Sequence, residues 1–133
     1  MNTEWFRETC LSFPDATETV QWGNDLVFKI AGKMFAVLNL EPGEHWASFK
    51  CAPEQFAELT EREGIVPAPY LARAHWVSLE SPWTMPAAEL KPLLRQAYDL
   101  VVAKLPRKRQ AEIGRGAKAK KEQKSGSRRA SIG

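Results

Sequence analysis

The alternation of apolar and polar positions is clearest in residues 26–51. The first run, residues 26–31, alternates with a period of two, which is typical of a strand with one buried face. A second run follows at residues 34–40, and a third at residues 45–51 comes after a Glu-Pro-Gly-Glu segment that favours a turn. The three runs predict an antiparallel β-meander at the centre of the fold.

A two-residue turn at Gly32-Lys33 would fix the register of the first hairpin, because glycine supplies the positive φ that a type II′ turn needs at its first corner. The predicted cross-strand pairs are Ile30–Phe35, Phe28–Val37 and Leu26–Asn39. One face is then predicted to bury Leu26, Phe28, Ile30, Phe35 and Val37, and the outer face to carry Val27, Lys29, Ala36 and Leu38.

Helical spacing predicts helices on both sides of this meander. The first helix begins with Thr3 as N-cap and ends before Pro14, and a second covers residues 54–63. A third pattern runs over residues 86–105, where Pro92 either starts the helix proper or kinks it. The expected fold is therefore α+β, with an antiparallel sheet packed by N-terminal and C-terminal helices.

Three shorter segments complete this pattern. Residues 17–22 and 75–80 alternate as strands, with Val77 and Leu79 predicted to point inward in the second. Residues 65–70 contain two prolines, each of which forces its predecessor into an extended conformation, so we expect a semi-rigid arm.

Length and composition favour one domain followed by a tail. The chain has 133 residues and is 44% hydrophobic, which is enough for one core, assigned to residues 1–106. Residues 107–133 contain Ile113 and Ile132 as their only large apolar side chains, so we expect a flexible basic tail. No apolar run is long enough to cross a bilayer. The two cysteines, Cys10 and Cys51, are far apart in the sequence and have no metal-like spacing, so we expect reduced thiols in a cytoplasmic protein.

The net charge of +3 conceals an asymmetry between domain and tail. Residues 1–105 carry 9 Lys and Arg against 14 Asp and Glu, whereas residues 106–133 carry 10 against 2. The basic character therefore belongs to the tail, and any polyanion would meet an acidic domain on average.

The sequence lacks the patterns that most enzymes need. It has no glycine-rich phosphate loop, and its two histidines, His45 and His75, have no metal-ligand spacing around them. Ser48 and Ser78 each lie near a histidine in the predicted strands, but neither follows a nucleophile-elbow pattern. We therefore expect a monomer that is not an enzyme and binds no metal or cofactor.

Two groups of cations are candidates for binding DNA. The tail can attract a polyanion through counterion release without fixed geometry, although it could equally serve only as a solubilising extension. Its candidate residues are Arg107, Lys108, Arg109, Arg115, Lys118, Lys120 and Lys121. In the hairpin, Lys29 on the outer face and Lys33 at the tip could contact phosphates as a wing does, although a lysine at a turn is often only a solvated residue.

Several segments together resemble one family of small bacterial proteins, MmcQ/YjbR. The segments are LVFKIAGKMFA at residues 26–36, PAPYLAR at 67–73, HWV at 75–77 and YDLV at 98–101 before Leu105-Pro106. This resemblance covers about residues 1–110 and implies a CyaY-like (frataxin-like) fold, often described as a double wing and labelled DNA-binding. Carried over to this chain, the wing positions are Lys29, Lys33 and Arg73.

From these observations we expect weak, largely sequence-independent binding to double-stranded DNA, assisted by the tail. The alternative is a module that binds a protein or a small molecule on the sheet face, because the sequence is rich in aromatic residues of the kind enriched at binding sites. The groove expected in that case is lined by Trp22, Trp46, Tyr70, Trp76 and Trp83.

Overall fold

The computed structural model describes residues 2–41, 43 and 45–113. Three helices and six strands follow one another along this part of the chain, with a short 3-10 turn at Ala72–Ala74, and residues 107–113 are helical as well. The elements are α1 (Thr3–Leu11), β1 (Thr17–Gln21), β2 (Asp25–Ile30), β3 (Lys33–Asn39), β4 (Ala47–Lys50), α2 (Pro53–Leu59), β5 (Ile65–Pro67), β6 (Trp76–Leu79) and α3 (Ala87–Ala103). No helix of these residues is long and apolar enough to span a bilayer.

The strands form one antiparallel sheet in the order β1-β2-β3-β4-β6-β5. Helices α1 and α3 pack against one face, which we call the helix face; the opposite face is the outer face. The predicted α+β class and the central meander are confirmed. The expected arm at 65–70 is instead a strand at its start, because Ile65, Val66 and Pro67 pair with β6 at the edge of the sheet.

The helix face carries the main core. Phe6 of α1 packs against Phe28 and Trp46, with ring centroids 6.0 and 5.3 Å apart, and Phe35 contacts Tyr98 of α3 edge-on at 5.6 Å. The buried hydroxyl of Tyr98 donates a hydrogen bond of 2.6 Å to the carbonyl of Pro14, which fixes α3 against the end of α1. Stacked and edge-on rings of this kind add stability beyond the buried area itself.

The helices follow the predicted pattern with shifted ends. The N-cap of α1 is Asn2 rather than Thr3, since the Asn2 side chain accepts the Trp5 N–H at 2.8 Å. Helix α2 ends at Leu59, earlier than predicted. Helix α3 runs unbroken from Ala87 to Ala103 with Pro92 inside it, so no separate turn precedes the proline.

The hairpin register differs from the prediction. Ile30 pairs with Lys33 and Lys29 with Met34, so the turn residues are Ala31 and Gly32, and both have positive φ. This conformation matches a type I′ turn, in which both corners need positive φ. The predicted cross-strand pairs, Ile30 with Phe35, Phe28 with Val37 and Leu26 with Asn39, are therefore wrong.

A β-bulge explains which side chains were assigned to the wrong face. The register shifts between Phe28 and Lys29, so that Phe35 is an extra residue in β3 and points, like Ala36, into the helix-face core. Ala36 and Leu38 are consequently buried under the helices, whereas Val37 lies on the outer face with Val27. The prediction placed Val37 on the buried face and Ala36 and Leu38 on the outer face, because strict alternation cannot reveal an inserted residue.

The chain beyond α3 stays attached to the core for a short distance. Ile113 is buried in the helix-face cluster, and the Gln110 side-chain amide donates to the carbonyl of Leu105 at 2.7 Å. Residues 114–133, most of the predicted tail, lie outside the described residues. The predicted division at residue 106 stays a prediction.

Candidate functional site

The strand register brings several loop and strand ends together at one end of the sheet. Strand β2 ends and β3 begins there, and in the next pair β4 ends where β6 begins, with Lys50 opposite Trp76. We call this the hairpin end. The 3-10 turn lies immediately before β6, so it belongs to the same end.

Cationic side chains from separate parts of the sequence gather at the hairpin end. Lys29 lies on the outer face near the end of β2, and Lys33 is exposed at the start of β3. Arg73 is exposed on the 3-10 turn, and Lys50 donates a hydrogen bond of 3.1 Å to the carbonyl of Ala74 in that turn. The three wing positions, Lys29, Lys33 and Arg73, thus share one end of the sheet.

Lys50 has a positive neighbour rather than a negative one. Burial lowers the pKa of Lys50, and the charge of Lys104 at the end of α3 lowers it further. A like-charge neighbour is unfavourable for the isolated protein and favourable once an anion lies between the two. The C-terminal end of α3 therefore adds to the positive charge of the hairpin end.

Ion pairs distinguish these cations from most others. Arg7 pairs with Glu18, Arg62 with Glu89, Arg95 with Asp99 and Arg109 with Glu112. Within residues 2–41, 43 and 45–113, no ion pair involves the hairpin-end cations, which are Lys29, Lys33, Lys50, Arg73 and Lys104. Four arginines of the described residues are thus ion-paired, whereas the charges of the hairpin-end cations are not compensated by an ion pair.

The acidic helix α2 begins close to the hairpin end. Helix α2 begins with Pro53, shortly after Lys50. The rings of Phe56 and His75, which follows the 3-10 turn, have centroids 5.5 Å apart. Its first turn carries Glu54, a carboxylate that would oppose a polyanion approaching this end.

The tail candidates divide into two groups. Arg107, Lys108 and Arg109 are exposed on the helical residues 107–113, and Arg109 lies 3.0 Å from Glu112. This segment begins three residues after Lys104 in the sequence. The remaining candidates, outside the described residues, are Arg115, Lys118, Lys120 and Lys121.

A groove with a volume of about 510 Å³ lies on the outer face, between the sheet and residues 68–71. Its apolar walls include Met34, Val37 and Leu71. In its floor the hydroxyls of Ser48 and Ser78, paired across β4 and β6, lie 2.7 Å apart. Volumes of this size accommodate small-molecule ligands.

The groove becomes polar toward the end of the sheet opposite the hairpin end. Asp25, Asn39 and His45 line it there, and burial raises the pKa of the Asp25 carboxyl. The buried Nδ1 of His45 has no hydrogen-bond partner among the described residues. Buried polar atoms are normally paired, so this nitrogen is an exception.

The aromatic groove expected from the sequence is only partly correct. Trp22 and Tyr70 line the groove, and both are exposed, with Trp22 at 63%. Trp46 instead belongs to the helix-face core, and Trp76 is buried in a small outer-face cluster. Trp83 is 80% exposed but lies outside the groove lining.

Some residues of both regions were missed by sequence reasoning. Lys50 could have been found, because alternation over Ala47–Lys50 places it on the same face as Ser48 at the end of the strand. Lys104 and Asp25 could not, because their roles depend on which chain segments meet in three dimensions. Among the described residues, no group of three or more Asp, Glu, His and Cys could hold a metal ion, and Cys10 and Cys51 are buried free thiols.

Comparisons with known proteins agree with this architecture. The YjbR family model matches residues 11–100. The crystal structure of Deinococcus radiodurans protein DR2400, described as a DUF419 domain, is similar with a TM-score of 0.76 and 30% identity, covering 85% of this chain and 88% of that one. A Pseudomonas syringae protein has a TM-score of 0.62 at 22% identity, covering 75% and 98%, which shows the fold alone. No curated protein matches.

Proposed function

This chain belongs to the YjbR family, and from that premise we propose that it binds double-stranded DNA weakly and largely without sequence preference, through the hairpin end of the sheet and the basic tail. The observation that carries the proposal is the set of hairpin-end cations without ion pairs in the described part of an otherwise acidic domain. Contacts from lysine and arginine to phosphates position a protein on a duplex without reading its sequence.

Counterion release explains why such a surface could bind despite the acidic domain. Each phosphate neutralised by a cation releases condensed counterions, and this gain depends on the local cations rather than on the net charge of the domain. None of the hairpin-end cations, and neither Arg107 nor Lys108, forms an ion pair among the described residues, so each can neutralise a phosphate without first breaking a salt bridge.

The first test measures the contribution of the tail. A chain ending at residue 113 retains the buried Ile113 and so keeps the core intact, while it lacks Arg115, Lys118, Lys120 and Lys121. Binding of a labelled duplex, followed by fluorescence anisotropy at several salt concentrations, should show a slope of log K against log salt that is smaller by about 0.9 for each lost phosphate contact. An unchanged slope would show that the tail does not contact DNA.

The second test locates the contact on the domain. In the chain ending at residue 113, Lys33→Glu and Arg73→Glu should each weaken binding, since both exposed residues lie at the hairpin end. The control Lys91→Glu makes the same change of charge at an exposed residue of α3, which lies about 20 Å from Lys104 along the helix axis. If Lys91→Glu weakens binding as much as the other two, only net charge matters and the proposed surface is wrong.

A further inference from the structure

The outer-face groove has a chemical character distinct from that of the hairpin end. Among the described residues that line the groove, none is a lysine or arginine, and Asp25 is the one carboxylate. A phosphate or other anion would therefore meet Asp25 without a compensating cation.

The polarity of the groove changes along its length. Strand β3 supplies Met34, Val37 and Asn39 in succession, over roughly 17 Å at the usual rise of a strand. The Met34 end is apolar and is closed by Leu71. The Asn39 end is flanked by Asp25, since the two residues are cross-strand partners. A ligand with an apolar body and one polar head would lie along the strand in a single direction.

The polar end favours a positive head group. The Asp25 carboxyl is partly buried, and its raised pKa reflects lost solvation that a cation would compensate. The Asp25 carboxylate, which lines the groove, accepts hydrogen bonds from an ammonium group.

Aromatic side chains stand at the rim of the groove. Trp22 follows β1 and precedes Asp25 by three residues, and Tyr70 lies on the segment that covers the groove. Both residues are exposed and both have positive φ, 51° and 66°, a strained conformation for residues with a Cβ. The faces of tryptophan and tyrosine attract organic cations, which is how proteins recognise alkylammonium ligands.

We infer that the outer-face groove binds a small organic cation, with its apolar body against Met34, Val37 and Leu71 and its ammonium head at Asp25 beneath Trp22. The ammonium position is separate from the proposed DNA contact, because the polar end of the groove lies at the opposite end of the sheet from Lys33 and Arg73, whereas the apolar end at Met34 and Leu71 reaches the hairpin end. The assignment depends on shape, lining and charge complementarity, and it holds whether or not the hairpin end binds DNA.

The experiment uses three probes of the same shape and different charge. Naphthylethylamine carries the cation, naphthylethanol is its neutral counterpart, and naphthylacetate is the anion. Isothermal titration calorimetry with the full chain should show the amine binding at millimolar concentration or tighter, the alcohol about tenfold weaker and the acid weaker still, since one hydrogen bond from the ammonium group to the partly buried carboxylate is worth about a factor of ten. Equal binding of all three, or no binding of the amine, would overturn the inference.

Two variants with matched controls locate the probe. Asp25→Asn should reduce binding of the amine about tenfold and leave the alcohol unchanged, whereas Glu80→Gln removes an exposed carboxylate beyond β6 and should change neither. Trp22→Ala should weaken the amine, and Trp83→Ala, which removes an exposed tryptophan outside the groove lining, should not. If each control matches its partner variant, the probe binds elsewhere and the assignment is wrong.

Discussion

The two faces of the sheet are covered in different ways. The helix face lies under α1 and α3 and buries large aromatic rings such as Phe6, Phe28 and Phe35 completely. The outer face has a small cluster around Val27 and Trp76 and is otherwise covered by residues 68–74, with a groove left between this segment and the strands. One face therefore supplies most of the stability, and the other keeps polar groups and a cavity that stability does not need.

The largest effect should come from the helix face. Phe28→Ala removes a fully buried ring that contacts Phe6 and should lower the free energy of unfolding by about 3–5 kcal/mol. Urea denaturation followed by circular dichroism measures this change. The control is Trp83→Ala, an exposed aromatic whose loss should stay within about 0.5 kcal/mol. Similar losses for the two variants would contradict the contrast between the faces.

A smaller loss should mark the C-terminal limit of the helix-face core. Ile113→Ala should cost about 2 kcal/mol, the low end for a buried isoleucine, because the residue lies at the margin of the cluster. Lys108→Ala on the same helical segment is exposed and serves as the control. If the urea denaturation midpoints of Ile113→Ala and Lys108→Ala agree within error, the side chain of Ile113 does not stabilise the domain.

On the outer face, the serine pair should contribute about 1 kcal/mol. Ser78→Ala leaves the Ser48 hydroxyl without its 2.7 Å partner, whereas the double variant removes both polar groups. We therefore expect the double variant to be at least as stable as Ser78→Ala alone. A double-mutant cycle in urea tests this, and strictly additive losses would mean that the two hydroxyls do not interact.

The smallest effect concerns pH. Burial raises the pKa of Asp25 in the folded protein, so its protonated form is favoured there and its charge is mildly destabilising at neutral pH. Asp25 should therefore increase the free energy of unfolding as the pH falls from its raised pKa in the folded protein to the ordinary carboxyl pKa of the unfolded chain. Asp25→Asn should remove that gain and change stability at neutral pH by less than about 0.5 kcal/mol. An identical pH profile for both proteins would contradict this sign.

Local sequence patterns predicted most elements but not their exact pairing. Alternation identified β2, β3, β4 and β6, and helical spacing identified α1 and α3, because each of these elements presents a regular run of apolar side chains to the helix-face core. The bulge at Phe35 escaped detection, since an inserted apolar residue looks like any other strand position. Strand β5 was predicted to be part of an arm because Pro67 and Pro69 indicate extended chain, whereas the pairing of residues 65–67 with β6 depends on the fold.

The candidate sites were less predictable than the fold. Lys29, Lys33 and Arg73 were identified from the hairpin and from a family resemblance, and the strand register brings them to one end of the sheet. The contribution of Lys104 depends on where α3 ends relative to β4, which no local pattern encodes. The groove was expected to be lined by five aromatic residues, but Trp46 lies in the helix-face core, where its ring packs on Phe6.

The extra residue in β3 also matters for comparing relatives. A homologue with one residue fewer in this hairpin should be aligned with its gap at position 35, because Lys33, Met34, Ala36 and Val37 then all keep their present faces. A gap placed at the turn instead would exchange inward and outward positions between the turn and Ala36, and substitutions in the core would be mistaken for changes on the binding surface.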